Sequence, residues 1–204
     1  MVRASRQQRS ERARSGVARW IAMCCAIFCL VAPVASQQRA DEGSPAERAK
    51  QLWEAGYVRH VMGLYEPAIE AYRASIAIHP TAEAHTFLGW TYSYQGKVKE
   101  AIAECETAIR IDPEFGNPYN DIGVYLLELG QIDEAAPWFR KAIAAKRYCC
   151  YQFAHANLGR VLLAQGKIEE ARNAFDRALE HDPDYLPALI GAELIRQALP
   201  QQRL

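Results

Sequence analysis

Residues 119–142 read YNDIGVYLLELGQIDEAAPWFRKA, and residues 155–178 read HANLGRVLLAQGKIEEARNAFDRA. Aligned without a gap, the two stretches share glycines at the fifth and twelfth positions, an alanine at the seventeenth and a phenylalanine at the twenty-first. The second of these glycines recurs along the chain at spacings of 33, 34 and 36 residues, as Gly63, Gly96, Gly130 and Gly166. Such a period indicates an array of repeated supersecondary units.

Each unit consists of two short apolar-patterned segments around a glycine. Helices of this length fit the spacing, and glycine fits the turn between them. Prolines close three of the units, at Pro80, Pro113 and Pro183, where they stop the second helix because proline cannot continue the hydrogen-bond ladder. One unit cannot bury its apolar face alone, so neighbouring units are expected to stack around a continuous core.

The period and its key positions resemble the tetratricopeptide repeat. The matching residues are Leu52, Gly56, Ala68, Tyr72, Ser75 and Pro80 in the first unit, Leu88, Gly89, Tyr92, Ala101, Ala108 and Pro113 in the second, Tyr119, Ile122, Gly123, Leu126, Ala135, Phe139 and Ala142 in the third, and Leu158, Gly159, Leu162, Ala171, Phe175, Ala178 and Pro183 in the fourth. The departures are Ala55, Arg59, His85, Cys105, Arg147 and His155.

The resemblance implies an all-α fold, a right-handed α-solenoid of four helix-turn-helix repeats and a C-terminal capping helix. The repeats are expected at residues 45–81, 82–115, 116–151 and 152–185, with the capping helix and tail at 186–204. Residues 37–44 form a polar linker ahead of the first repeat.

The N-terminus has the composition of a targeting segment. Six arginines precede the uncharged stretch Trp20–Ala35, and small residues close it near Ser36. These sixteen residues would span about 24 Å as a helix, which is shorter than a hydrocarbon core of about 30 Å. We therefore expect residues 1–36 to be a cleaved signal peptide and the repeats to be periplasmic; the alternative is an uncleaved anchor at residues 20–35 with the repeats outside.

Charge and residue content exclude several functional classes. From Gln37 onward the chain has 18 basic and 23 acidic residues, and this weakly acidic body argues against nucleic-acid binding. The five histidines lie at unrelated repeat positions, and the sequence has no CxxC pair or phosphate-binding glycine loop. The sequence thus predicts a non-catalytic protein without a metal or cofactor.

A binding surface is predicted from the resemblance, which implies a concave groove lined by the first helix of each repeat. The candidate peptide-binding residues are Trp53, Tyr57, Phe87 and Trp90 in the first two repeats and Asn120, Asp121, Asn157 and Arg160 in the last two. Aromatic rings supply contact area, and asparagine amides can pair with a peptide backbone. The alternative for Trp53, Phe87 and Trp90 is ordinary packing between repeats.

Related chaperone-docking proteins hold acidic C-terminal tails with lysines, asparagines and an arginine. This chain departs from that pattern, because groove lysines are nearly absent after Lys50. Glu54, Glu83 and Asp121 would also repel an acidic tail. A partner of that class is disfavoured.

The third and fourth units are separated by two additional residues within Ala145–Tyr151, where the usual proline is missing. This segment is either a longer turn with its tyrosines packed back onto the array, or a binding or pairing loop. Cys149 and Cys150 lie in it and Cys105 precedes it; they are either unpaired thiols or a redox or intermolecular pair.

The sequence thus predicts a protein-interaction module that binds a peptide segment in the groove. One alternative is an oligomeric scaffold that uses the convex face and the 145–151 loop. A thiol-dependent activity at Cys149 and Cys150 is a further alternative.

Overall fold

The computed structural model describes residues 43–198, in which nine α-helices follow one another and no strand occurs. They are α1 (Pro45–Val61), α2 (Tyr65–Ile78), α3 (Ala82–Tyr94), α4 (Val98–Ile111), α5 (Asn117–Glu128), α6 (Ile132–Ala144), α7 (Tyr151–Ala164), α8 (Ile168–His181) and α9 (Leu186–Ala198). This confirms the predicted all-α helical repeat fold. The predicted signal or anchor at residues 1–36 lies outside the described residues.

The turn glycines end the first helix of every repeat. Gly130 has a φ of +75°, and the other three turn glycines have the same left-handed backbone. The amide of Gln131 donates to the Leu126 carbonyl at 2.8 Å, which satisfies a carbonyl that the helix end leaves without a partner. Glycine is required here because a Cβ is strained in this backbone region.

A second recurring glycine, within the first helix of a repeat, permits close packing of the two helices. A Cβ built on Gly123 would lie 2.6 Å from Cε1 of Phe139. Gly159 stands in the same relation to Phe175, and both phenylalanine rings are fully buried. Because Gly123 on α5 and Gly159 on α7 have no side chain, the rings of Phe139 on α6 and Phe175 on α8 can fill the space beside them.

The array bends toward its first helices. Each of α1, α3, α5 and α7 contacts the first helix that follows it, including the α7–α9 pair. Between residues 43 and 198, none of the second helices α2, α4, α6 and α8 contacts another second helix. The first helices are therefore the closer-spaced, inner layer of the stack, and they line its concave side.

Helix α9 closes the C-terminal end. It buries Ala188 and Ile195 against the fourth repeat, and Glu193 pairs with Arg196 on its polar side. However, Leu189, Ile190 and Leu194 are exposed, so the helix is less polar than a purely solvating cap.

No helix in the described part of the chain has the length and apolarity needed to cross a bilayer.

The 145–151 segment folds back over the turn between the second and third repeats. The Arg147 amide donates to the Glu114 carbonyl at 2.8 Å, and the Gly116 amide donates to the Arg147 carbonyl at 3.0 Å. Tyr148 is 7% exposed and packs on Gly116, where any side chain would collide with its ring. This confirms the expectation of a longer turn with a tyrosine packed onto the array.

Candidate functional site

Four aromatic residues of α1 and α3 form one contiguous surface on the inner layer. The rings of Trp53 and Phe87 are stacked with centroids 5.4 Å apart, and Tyr57 meets Phe87 edge-on at 5.3 Å. Tyr57 also stacks on Trp90 at 6.3 Å. The four predicted aromatic residues are therefore brought together, across the interface of the first two repeats.

The aromatic residues divide between packing and exposure. Trp53 and Phe87 are half-buried and pack against the hydrophobic core, as the packing alternative expects. Tyr57 is 42% exposed, and Trp90 lines an open pocket with Tyr57 and Phe87. Trp90 is half-buried like Trp53 and Phe87, so Tyr57 is the most exposed of the four aromatic residues.

His60 belongs to this cluster, although the sequence pattern did not select it. Its ring stacks on Trp90 at 3.8 Å, and its Nδ1 is 2.9 Å from Oγ1 of Thr91. Burial lowers the pKa of His60 below its ordinary value, so the ring is neutral at pH 7. The missed signal is its position three residues after Tyr57, which continues the inner face of α1.

The four polar candidates form a chain of hydrogen bonds across α5 and α7. Nδ2 of Asn157 donates to Oδ1 of Asn120 at 3.2 Å, and Nδ2 of Asn120 donates to Oδ1 of Asp121 at 3.4 Å. Nη1 of Arg160 donates to Oδ1 of Asn157 at 3.4 Å. These long contacts leave each amide able to exchange its partner for a ligand.

The aromatic and polar groups meet in a pocket of about 330 Å³. Its lining residues are Tyr57, Thr86, Phe87, Trp90, Asn117, Asn120, Asp121, Tyr148, Cys150 and Phe153. A second cavity of about 390 Å³ shares Trp90 and Asp121 and adds Glu128. Asp121 therefore lies where the two cavities meet, between the second and third repeats. The cavity of about 330 Å³ is the central pocket, and the cavity of about 390 Å³ is the side pocket.

Asp121 is a half-buried carboxylate with no ion-pair partner among residues 43–198. Burial raises its pKa to about 7, and the weak hydrogen bond from Asn120 opposes that shift. An ionised carboxylate at this position has lost water without gaining a cation.

The 145–151 loop supplies two walls of the central pocket, Tyr148 and Cys150. Arg147 anchors the loop, since its Nη1 lies 2.6 Å from Oε1 of Glu83 and its Nε donates to Asp112 at 2.8 Å. The sequence indicated an irregular loop but not that it returns to the groove. Tyr148 is buried and Tyr151 is half-buried, so both tyrosines of the loop pack onto the array.

Cys105 and Cys150 lack the environment of a reactive thiolate. Cys105 is fully buried, and burial raises its pKa well above the ordinary range. Burial, followed by the hydrogen bond with Cys149, raises the pKa of Cys150 to about 12. Both shifts favour the protonated thiol, so the environment of Cys150 argues against its part in the thiol-activity alternative.

An apolar cavity of about 360 Å³ extends the inner layer beyond Arg160 to the capping helix. Its walls include Leu163, Ile190 and Leu194.

Within residues 43–198 no group of histidine, cysteine and acidic side chains is arranged to hold a metal ion.

Models of the tetratricopeptide repeat match residues 82–115, 152–185 and 119–147 of this chain. Mus musculus DnaJ homolog subfamily C member 3 is 28% identical over 110 residues, which cover 54% of this chain and 21% of the relative. The chain therefore spans less than a third of that protein's length.

Two solved structures show the same fold. Pseudomonas aeruginosa pilF superposes with a TM-score of 0.71 at 22% identity, over 78% of this chain and 74% of that one. The first repeat domain of Spaghetti (RPAP3), bound to the HSP90 peptide SRMEEVD, gives a TM-score of 0.54 at 28% identity, over 59% of this chain and 94% of that one. Residues 82–115, 119–147 and 152–185 thus match the tetratricopeptide repeat, the fold of a protein-interaction module.

Proposed function

We propose that this tetratricopeptide-repeat array binds an extended segment of a partner protein along the inner layer of first helices, without catalysing a reaction. The observation that carries the proposal is the central pocket. There, the aromatic surface of the first two repeats meets the hydrogen-bonding side chains of the last two.

The two halves of the site suit different parts of such a segment. Tyr57 and Trp90 offer rigid apolar contact area, which commonly dominates the binding energy of protein interfaces. Asn120 and Asn157 can each donate to a peptide carbonyl and accept from a peptide amide, as an extended backbone requires. Arg160, which is exposed and has no acidic partner in the described chain, can take a carboxylate or carbonyl.

Charge distinguishes this groove from one that accepts an acidic tail. The RPAP3 domain binds the acidic peptide SRMEEVD. Here the lining of the central and side pockets contains Asp121 and Glu128 but no lysine, arginine or histidine. Lys50 lies 3.7 Å from Glu54, which partly neutralises it. We therefore propose a partner segment that is not acidic where it meets these pockets.

Export completes the proposal and rests on the sequence. The arginine-rich start and the uncharged stretch up to Ala35 support translocation, with the periplasm as the working compartment. Cell fractionation with an antibody against the repeats tests this directly. Recovery of the protein in the cytoplasm would contradict export without affecting the groove.

Partner capture from a cell-envelope extract, followed by binding to overlapping peptides of the captured protein, tests the groove. We expect Trp90→Ala and Asn157→Ala to weaken binding by about tenfold or more. The matched controls are Trp138→Ala on α6 and Asn173→Ala on α8, which remove the same groups from second helices. Equal losses in the controls and the groove variants would contradict the proposal.

Self-association is a second candidate, favoured by the exposed Leu189, Ile190 and Leu194 of α9. Sedimentation equilibrium of the wild type and of Leu194→Lys tests self-association separately from peptide binding. A discrete oligomer that dissociates in the Leu194→Lys variant would support a scaffold role.

A further inference from the structure

The central pocket combines aromatic walls with one carboxylate. Tyr57, Phe87, Trp90 and Phe153 contribute rings from α1, α3 and α7, and Asp121 contributes the charge from α5. The faces of aromatic rings attract cations, and the attraction grows when water is excluded. A carboxylate within the same enclosure adds a direct ionic partner.

The charge of this part of the groove is uncompensated. Asp121 and Glu128 are the acidic residues of the two adjoining pockets, and no cationic side chain lines either pocket. The nearby Glu83 is already paired, because Arg147 holds it at 2.6 Å. The arginine of the loop therefore leaves Asp121 as the unpaired acid at the centre.

The volume limits what can enter. About 330 Å³ is near the lower end of the range for small-molecule sites, so the pocket suits one long side chain rather than a folded element. Lysine and arginine place a charge at the end of an apolar stem, which would contact the rings while the charge reaches the carboxylate.

We propose that the central pocket binds a lysine or arginine side chain of the partner segment, with its cation against Asp121 and the surrounding rings. This specificity rests on the proposed function, because it assigns the anchor residue of the segment that the groove binds. Burial raises the pKa of Asp121, and an incoming cation supplies the stabilisation that the ionised form lacks.

The experiment uses the full chain and four pools of nine-residue peptides. All pools are acetylated and amidated, with randomised neutral flanks and a fixed central lysine, arginine, norleucine or glutamate. Binding of each pool to wild type, Asp121→Asn, Trp90→Ala and the control Asp133→Asn is measured by fluorescence polarisation at pH 8. Asp133 is an exposed carboxylate in the first turn of α6, so its substitution removes the same charge away from the pocket.

We expect the wild type and Asp133→Asn to prefer the lysine or arginine pool over norleucine by about tenfold, and glutamate to bind most weakly. The ratio of the lysine and arginine pools decides between the two cations. Asp121→Asn should reduce the preference over norleucine to about twofold while retaining binding.

Equal binding of the lysine, arginine and norleucine pools by the wild type would overturn the cation site. If Trp90→Ala still abolished that binding, the proposed groove would stand without this specificity. Failure of every pool to bind the wild type would count against both the groove and its cation site.

Discussion

The guanidinium of Arg147 lies 2.6 Å from the carboxylate of Glu83, a residue 64 positions earlier in the chain. The same side chain contacts Asp112 and lies over the Phe115 ring at 4.2 Å. One residue at the position where these repeats usually have proline therefore ties the third repeat to the second. The loop it holds forms part of the central pocket.

Arg147→Ala should lower the free energy of unfolding by about 1 kcal/mol, because both ion pairs are only partly shielded from water. Lys146→Ala is the matched control, since Lys146 is 83% exposed and lies 3.4 Å from Glu114. Urea denaturation followed by circular dichroism measures both. The difference should shrink at 0.5 M salt, and a loss that salt leaves unchanged would assign it to packing on Phe115 instead.

Gly123→Ala should destabilise the fold by about 2 kcal/mol, because the new methyl group would collide with the Phe139 ring. Gly130→Ala should cost about 1 kcal/mol for a different reason, its left-handed backbone, since nothing lies near its missing side chain. Adding Phe139→Leu to each variant separates the mechanisms in a double-mutant cycle. Phe139→Leu should reduce the cost of Gly123→Ala, because the smaller side chain leaves room for the methyl group, and it should not change the cost of Gly130→Ala.

Asp121→Asn should stabilise the protein at pH 8 by up to about 4 kcal/mol and leave it nearly unchanged near pH 4. Burial raises the folded-state pKa to about 7 from an ordinary value near 4, so the folded chain holds a proton that the unfolded chain has released. The contribution of Asp121 to stability therefore falls as the pH rises from about 4 to about 7, and it is constant at higher pH.

Thermal melts of wild type and Asp121→Asn from pH 4 to 8 measure the effect. The neighbouring groups that interact with Asp121 have raised pKa values and remain neutral over this range: Cys105, Tyr125, Tyr148 and Cys150. Histidine titrations cancel in the difference between the proteins, and Glu70→Gln controls for net charge. Parallel pH profiles for wild type and Asp121→Asn would contradict the burial of an unpaired carboxylate.

Ile195→Ala should cost about 3 kcal/mol, because Ile195 is 1% exposed where α9 closes the fourth repeat. Leu194→Ala, one residue away and 53% exposed, should cost less than about 0.5 kcal/mol. Denaturant unfolding of the two variants compares the buried and exposed sides of the same helix. Similar costs would mean that α9 docks in a different register.

The helical repeat could be predicted because its determinants are local. Gly130 and Gly123 act on the turn and the helix pair that immediately surround them, and the same local problem recurs in each unit. The inner-layer residues Trp53, Tyr57, Phe87 and Trp90 followed from repeat register, and so did Asn120 and Asn157. Their membership of a binding site stays a prediction.

What the sequence by itself determined is the helical hairpin and its repetition, since glycine, alanine and aromatic residues at fixed spacing leave one way to bury each unit. Only the tertiary structure decided which groups from different repeats share one pocket. The stacking of His60 on Trp90, the crossing of Arg147 to Glu83 and the position of Asp121 without a counter-charge depend on relations between helices. No local pattern encodes such relations, because each arises from residues that are distant in the chain and become neighbours only when the repeats stack.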